Sequence, residues 1–371
     1  MSNFHENLSE AVVALPAVAL RRMCKLVRLL DRLSRHAGYR SLVYQDLPET
    51  ARFDPGHSAV MMCYDFHLAG DMPRLIEVNT NAGGSLLAYL SYNPSLPIRP
   101  ESLTSKMKAR LLRTFAAEMR QFSGGSKPRP ERIVIVDDEP TQQYLYPEMQ
   151  AFADLFKEWG VPSEVAAPEQ LEASEEGVWL NGQSVDLVYN RHCDFYLESD
   201  AMSGLRKAYL AGKVCLTPNP HMYGLLADKR RMVLWTDPIK RAPYLESDQE
   251  AELLDAIIPA SRLLSGLDLQ ETWSVRKQCV FKPVDSFGSR GVLLGGKISR
   301  KRFDELPPAT TLVQELVPPS MTEVPNFEPM KTDLRLYAYR DQALGVTARL
   351  YRGQVTNMRT PGGGFARVKA I

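Results

Sequence analysis

The sequence predicts a fold that mixes α/β and α+β organisation over two or three subdomains. Three observations carry the prediction. A strand–helix–strand order recurs between residues 130 and 218, an antiparallel meander lies near the end, and amphipathic helices dominate the start. With 371 residues, 44% of them apolar, the chain has material for sizeable cores and is globular rather than disordered.

The first block, 1–125, opens helically. Leu20, Met23, Leu26, Val27, Leu30 and Leu33 recur at helical spacing. "TSKMKARLLRTFAAEMRQF" gives a second amphipathic helix. Between them stand two strands, "HSAVMMCYDF" and "LIEVN". "SGGSKPRPE" (123–131) is a linker by composition. The second block, 130–218, starts with the buried strand "RIVIVDD". The helix "YPEMQAFADLFKEWG" follows, with Pro147 in its first turn and Gly160 as its stop. "PSEVAAPEQL" reads as strand and turn. "VWLNGQSVDLVYNR" reads as a hairpin with Asn181-Gly182 at its tip, feeding a strand that ends at Arg191. In an open α/β unit the ligand side is the carboxyl ends of the strands, where Asp137, Asp138 and Arg191 stand.

The third block, 219–371, begins with "GLLADKRRMVLW", a basic helix. "CVFKPVDSFGSRGVLLG" reads as strand, turn, strand. "TLVQELVPP" is a buried strand stopped by two prolines, and "DLRLYAYRDQALGVTARLYRGQVTNM" is the meander. "TPGGGFARV" is expected as a flexible glycine loop. No internal repeat is evident.

Composition narrows the function classes. Lys plus Arg number 45 and Asp plus Glu 44, so no overall field steers nucleic acid or an anionic membrane toward the chain. The five cysteines are scattered with no CxxC, which argues against a zinc site or a disulfide framework and for a reducing, cytoplasmic setting. In the first residues acidic groups precede the apolar patch and basic groups follow it, the wrong order for a signal peptide. No apolar run approaches the roughly 20 residues of a membrane span. GxSxG, HExxH and Walker-type motifs are absent, which leaves hydrolase triads and P-loop chemistry unsupported.

Candidate chemistry gathers at a few positions. Glu77 and Asn79 point to one side of a strand that ends in a glycine turn. Asp65 stands twelve residues earlier, at the end of a strand able to pair with it. Three hard oxygens suit Mg²⁺; the competing reading is an Asn-Gly type turn with Glu77 in a surface ion pair. Lys282 lies inside an apolar strand, where a lysine is costly unless an anion meets it. The loop after it, with Gly288, Ser289 and Gly291, is able to lay backbone N–H groups on phosphate oxygens, though it also reads as an ordinary hairpin turn. Lys229, flanked by Arg230 and Arg231, reads equally as a solvated face. Arg335 and Arg349 alternate with apolar residues and suit phosphates or carboxylates, or pair across strands with Asp333 or Asp341. His67 and His192 lack partners at metal or triad spacing and read as local hydrogen-bonding residues.

Together these motifs resemble the permuted branch of the ATP-grasp superfamily, which includes eukaryotic-type glutathione synthetase and glutathionylspermidine synthetase. "IEVNT" is similar to the Glu-x-Asn magnesium motif, and "CYDF" to the spaced aspartate of the glutathionylspermidine type. "LADKRRM" and "VFKPVDSFGSRGV" resemble the two phosphate-lysine motifs, Lys229 and Lys282. "VQELV" resembles the hinge strand that holds adenine, around Gln314, Glu315 and Val317. "WLNGQSVDLVYNRHCDFYL" resembles the substrate-domain segment, with Arg191 as the contact to the acid. "TPGGGFA" resembles the glycine lid.

The resemblance implies a circularly permuted ATP-grasp fold with an inserted open α/β substrate domain at 130–218. It implies ATP and Mg²⁺ as cofactors. Arg335, Arg349 and Lys282 would carry catalysis, and Asp65, Glu77 and Asn79 the metal. Gly83, Ser85, Asn357, Gly362 and Gly363 would join Arg191 at the acid and amine substrates. The relatives' metal-binding Glu, four residues after the second lysine, is replaced here by Ser286, and Asp285 is the expected substitute. The arginine ahead of their metal aspartate falls at Cys63, the lysine before their lid has no counterpart, and their amidase domain is absent.

The implied activity is that of a carboxylate–amine ligase working through an acylphosphate. Its partners would be small-molecule acid and amine substrates, with no nucleic acid or membrane and with room for a homodimer. The alternatives are a non-catalytic ATP-grasp-like binding protein and an ATP-dependent phosphotransferase.

Overall fold

Alternating burial in the C-terminal meander sets the frame of the molecule. In the strand Phe327–Tyr339, Leu334, Leu336 and Ala338 belong to one hydrophobic core. Tyr337 and Tyr339 belong to another. Strand side chains alternate, so Asp333, Arg335 and Tyr337 share the face opposite the three aliphatic residues. Each fully buried leucine contributes on the order of 1.5–3 kcal/mol, which holds the register of the polar face beside it.

The computed structural model describes residues 8–286, 290–354, 356–357 and 360–371. Its strands are β1 (Leu8–Leu15), β2 (Met62–Ala69), β3 (Met72–Asn79), β4 (Ile133–Val136), β5 (Ser163–Ala166), β6 (Glu172–Ser174), β7 (Gly177–Leu180), β8 (Gln183–Ser184), β9 (Leu187–Asn190), β10 (Cys215–Thr217), β11 (Ser261–Leu263), β12 (Cys279–Pro283), β13 (Leu293–Leu294), β14 (Thr311–Glu315), β15 (Ser320–Val324), β16 (Phe327–Tyr339), β17 (Gln342–Tyr351) and β18 (Gly364–Ala370).

The main sheet has seven strands in the order β1-β18-β17-β16-β2-β3, with β15 paired to β16. Only β1 and β18 run parallel within it. The helix Ala17–Arg35 buries Met23, Leu26, Val27 and Leu30 in the core that also holds the aliphatic side chains of β16. Against the other face lie the helices Ser85–Leu90, Ser105–Phe122 and Tyr146–Glu158, through Leu86, Phe115 and Phe152.

The α/β unit is a parallel sheet, β10-β9-β4-β5, as its strand–helix–strand order predicts. The β7–β8 turn has φ 55° at Asn181 and 71° at Gly182, the two positive values of a type I′ hairpin. A third, antiparallel sheet, β11-β14-β12-β13, faces β3 across a cleft. The 1–125 block therefore shares its sheet with the chain's last strands, and the 219–371 block is divided between two sheets.

Four expectations need correction. Residues Leu8–Leu15 form a strand where the first block reads as helical; their alternating burial seats Ala11, Val13 and Leu15 in the core. The "HSAVMMCYDF" strand begins only at Met62, because His57 turns away to a buried carboxylate, Glu118, at 2.9 Å, and Met61 takes φ 53°. The basic helix is broken into a π-helix, Tyr223–Ala227, and an α-helix, Arg230–Thr236. Asp228 causes the break: its carboxylate accepts from the Arg230 N–H at 2.9 Å and from the Tyr196 hydroxyl at 2.7 Å, holding the chain extended between the two helices. The terminal glycine loop is a turn leading into β18, whose Phe365, Ala366 and Val368 are buried. All five cysteines are free. Among the described residues no helix is long and apolar enough to cross a membrane.

Candidate functional site

The polar face of the main sheet lines a cavity of about 340 Å³ against the third sheet. Asp65 on β2 pairs with Arg335 on β16 and with Glu77 on β3. Arg335 approaches Asp65 through two parallel hydrogen bonds of 2.7 Å, Nε to Oδ1 and Nη2 to Oδ2. Arg349 on β17 donates to the same Oδ2 at 3.0 Å and to Asp333 Oδ1 at 2.6 Å. Thr356 donates to the other oxygen of Asp333 at 2.7 Å. Asn79 Nδ2 stands 3.2 Å from both Asp65 Oδ2 and Glu77 Oε1. Burial would push the Asp65 carboxyl up, but Arg335 and Arg349 outweigh it and hold the pKa below the usual carboxylate range.

Across the cleft, Lys282 on β12 is buried, with its Nζ 3.0 Å from the carbonyl of Ile76 and 2.6 Å from Gln314 Oε1. Both partners are neutral. Burial therefore pulls its pKa down to about 8, helped by Lys229 and opposed by Glu77 and Asp65. Lys229 follows the π-helix, a feature often found at functional sites. It donates to the carbonyl of Ser286 and, with Lys282 and Glu77, lines a narrow cleft beside the main cavity. Asp285 lies near enough that its charge, like those of Asp228 and Glu77, adds to burial in raising the Tyr223 phenol.

Strand β14 forms one wall. Its side chains are already engaged: Gln314 with Lys282 and with Ser261 at 3.2 Å, Glu315 with Arg74 at 2.7 Å. The Val317 carbonyl accepts from His67 Nδ1 at 2.7 Å, and His67 lines the same cavity. Gly291 has φ 71° and sits against Pro283. Gly288 and Ser289 lie outside the described residues.

Arg191, at the end of β9, meets the main sheet from the α/β unit. Its Nη2 lies so close to Gly83 that an added Cβ would stand at 2.0 Å, so any side chain there would have to push the guanidinium aside. The Gly83 carbonyl faces Arg335 Nη1 at 3.4 Å and the Tyr337 hydroxyl at 3.3 Å. Arg191 is buried, yet its nearest carboxylate, Glu148, is 3.5 Å away and its Nε lacks a protein partner. Asp137, also at a strand end, has its pKa raised to about 6 by burial, against the pull of Arg191.

The sequence gives no sign of Glu148, which sits in the first turn of its helix. It is fully buried and accepts from the backbone N–H groups of Gly84 at 2.7 Å and Leu86 at 2.8 Å, with the Ser85 hydroxyl at 3.5 Å. Asp333 was legible only as a cross-strand partner of the arginines, and the structure brings it to the cavity wall. Gly362 and Gly363 are packed tightly, against Phe327 and the Leu350 carbonyl, and the Gly362 carbonyl accepts from Ser9 at 2.8 Å. Asn357 is exposed between β17 and β18.

No family model matches the chain, and no curated protein matches its sequence. Solved structures do. A glutathione synthetase-like effector from Globodera pallida superposes with a TM-score of 0.60 at 14% identity, covering 98% of this chain and 90% of that one. A candidate γ-glutamylcysteine synthetase from Methylobacillus flagellatus gives 0.51 at 14% identity, covering 95% and 88%. The chain thus has the mixed α/β fold seen in glutathione synthetase-like and γ-glutamylcysteine synthetase-like structures.

Proposed function

We propose that the chain is an ATP- and Mg²⁺-dependent carboxylate–amine ligase with a permuted ATP-grasp arrangement. One observation carries the reading. Four segments far apart in sequence bring Asp65 and Glu77, Lys282 and Arg349 to one cavity and Lys229 to the cleft adjoining it, with β14 on the cavity wall and Arg335 paired to Asp65. Buried cations facing carboxylates suit a ligand that is an anion carried with a metal.

Asp65 and Glu77, each 3.2 Å from the Asn79 amide, are the hard donors that would hold Mg²⁺; among the described residues no third His, Cys, Asp or Glu joins them in a metal-holding cluster. The ion would supply charge neutralisation at the phosphate oxygens. Lys229 and Lys282 would bind phosphate. Arg335 and Arg349 would neutralise charge during transfer to the substrate carboxylate, and Arg191 would hold the acid over Gly83 and Ser85. An amine then displaces phosphate to give an amide.

The test is ADP release, screened over acid–amine pairs drawn from amino acids, γ-glutamyl peptides and polyamines. A ligase needs both partners, and Glu77→Gln should abolish turnover while leaving the fold intact. ADP release with an acid alone, accompanied by a stable phosphorylated acid, would establish a phosphotransferase instead. Absence of ATP binding by calorimetry would overturn both.

A further inference from the structure

We infer that a pocket beneath the helix Ser85–Leu90 is a second binding site, for a small neutral aromatic molecule. The pocket has a volume of about 280 Å³, and no charged side chain lines it. Its inner wall is buried Met61, Ala88, Leu111 and Tyr337, and its mouth is formed by exposed Tyr92 and Gly345. It lies on the same face of the main sheet as Arg335, two residues further along β16, where Tyr337 pairs with Gly345.

Chemistry at the wall selects the ligand. Each of its three tyrosines already has its hydroxyl committed to the protein backbone. Tyr337 donates to the Gly83 carbonyl at 3.3 Å, Tyr92 to the Val368 carbonyl at 3.0 Å, and Tyr89 accepts from the Thr104 N–H at 3.3 Å. What they present inward is ring surface, joined by the thioethers of Met61 and Met107. Sulfur and ring edges favour an aromatic guest, while the lack of any cation or carboxylate penalises a charged one.

Two further features show that the room is built rather than left over. A Cβ placed on Gly345 meets nothing within 4 Å, so the strand carries no side chain where one would fit. Buried Met61 is held at φ 53°, a conformation that costs a non-glycine residue and tends to mark ligand sites. The volume is about twice that of the ~150 Å³ apolar cavity known to accept benzene, which suits one fused ring pair. Tyr337 and Ser85 belong both to this pocket and to the Gly83–Leu86 turn, so an occupant would touch the support of that turn without entering the charged cleft.

Indole serves as the probe, with zwitterionic tryptophan as the charged control. Titration calorimetry should give an indole dissociation constant in the range of about 0.1–1 mM, the strength open to nine heavy atoms, and no tryptophan binding. Methyl NMR should show Met61 and Met107 shifting together on the parent protein. Gly345→Val, which narrows the mouth, and Ala88→Leu, which fills the interior, should each weaken indole at least tenfold while melting as the parent does. Absence of indole binding to the parent, unmoved Met61 and Met107 methyls, or variants that bind as tightly as the parent would each overturn the assignment. So would a parent dimer that Gly345→Val dissociates, because the occupant would then be a second copy of the chain. None of these readouts depends on ATP or turnover.

Discussion

Two buried arginine sites face one another across Gly83, and they are solved in opposite ways. Arg335 and Arg349 sit among carboxylates at 2.6–3.0 Å, sharing Asp65 and drawing in Asp333. Arg191 has a carboxylate only at 3.5 Å and an Nε without a protein partner. The first arrangement is electrostatically complete within the protein. The second leaves a desolvated guanidinium with unused donor capacity, and Lys282, with two neutral partners, shares that condition. A buried cation that the fold does not neutralise is a place prepared for an anion from outside. The contrast separates cations that carboxylates of the site already pair from cations left open for a ligand.

The sharpest way to break the contrast is Asp65→Asn. It strips two buried arginines of their common carboxylate, and uncompensated buried charge should destabilise the fold by about 3–5 kcal/mol, read from denaturant unfolding. A loss under 1 kcal/mol would mean that Asp333 alone neutralises both arginines. Glu148→Gln comes next. A neutral amide retains one acceptor for two backbone N–H groups, so stability should fall by about 1.5–3 kcal/mol, and the Gly83–Leu86 turn should exchange its amide protons faster.

Lys282 gives a pH signature of intermediate size. Its folded pKa of about 8 lies below the ordinary lysine value of 10.5, so the unfolded chain binds more protons between those values. Stability should therefore rise as pH climbs from about 8 toward 10.5. Lys282→Met should lack this rise, narrowing any advantage of the variant over the parent by about 1–3 kcal/mol across the window. Parallel unfolding curves of parent and variant over that range would refute the burial account. Calorimetry should also show ATP affinity lowered in Lys282→Met by about 1.5–3 kcal/mol.

The last test is at Arg191. Arg191→Met keeps the bulk, and the buried Glu148 carboxylate 3.5 Å away keeps its backbone N–H donors, so unfolding should move by less than the roughly 3–5 kcal/mol of a broken, closely bonded buried pair, while KM for an acid substrate rises at least tenfold. A large stability loss with unchanged KM would assign Arg191 to the fold rather than to the ligand.

How much of this was readable beforehand depends on the range of the interaction. The alternation of Arg335 and Arg349 with Leu334, Leu336, Ala348 and Leu350 is local, so their shared face follows from period two. The β7–β8 turn is equally local, since Asn-Gly dictates its own backbone. Asp65 and Glu77 sit on adjoining strands of one hairpin and were legible as a pair. Glu148 was not, because its role exists only when the α/β unit closes on the Gly83–Leu86 turn, and nothing in "YPEMQ" encodes a partner more than sixty residues away. The break at Asp228 likewise depends on Tyr196 from another unit. The Leu8–Leu15 strand was missed because its small alternating residues have no apparent partner until β18 is known.

That last pairing has a temporal consequence. β18 lies between β1 and β17, and β1 aligns Leu8 with Phe365 and Leu15 with Ala370. β1 therefore waits for a strand made long after it, and closing so long a loop is slow relative to hairpin formation. Until then β1 and the open edge of β17 are unpaired strands of the kind that recruit other chains. During synthesis the nascent chain is thus most exposed to misassembly at the edge that β18 covers, and removal of Gly364–Ala370 would prolong that interval indefinitely.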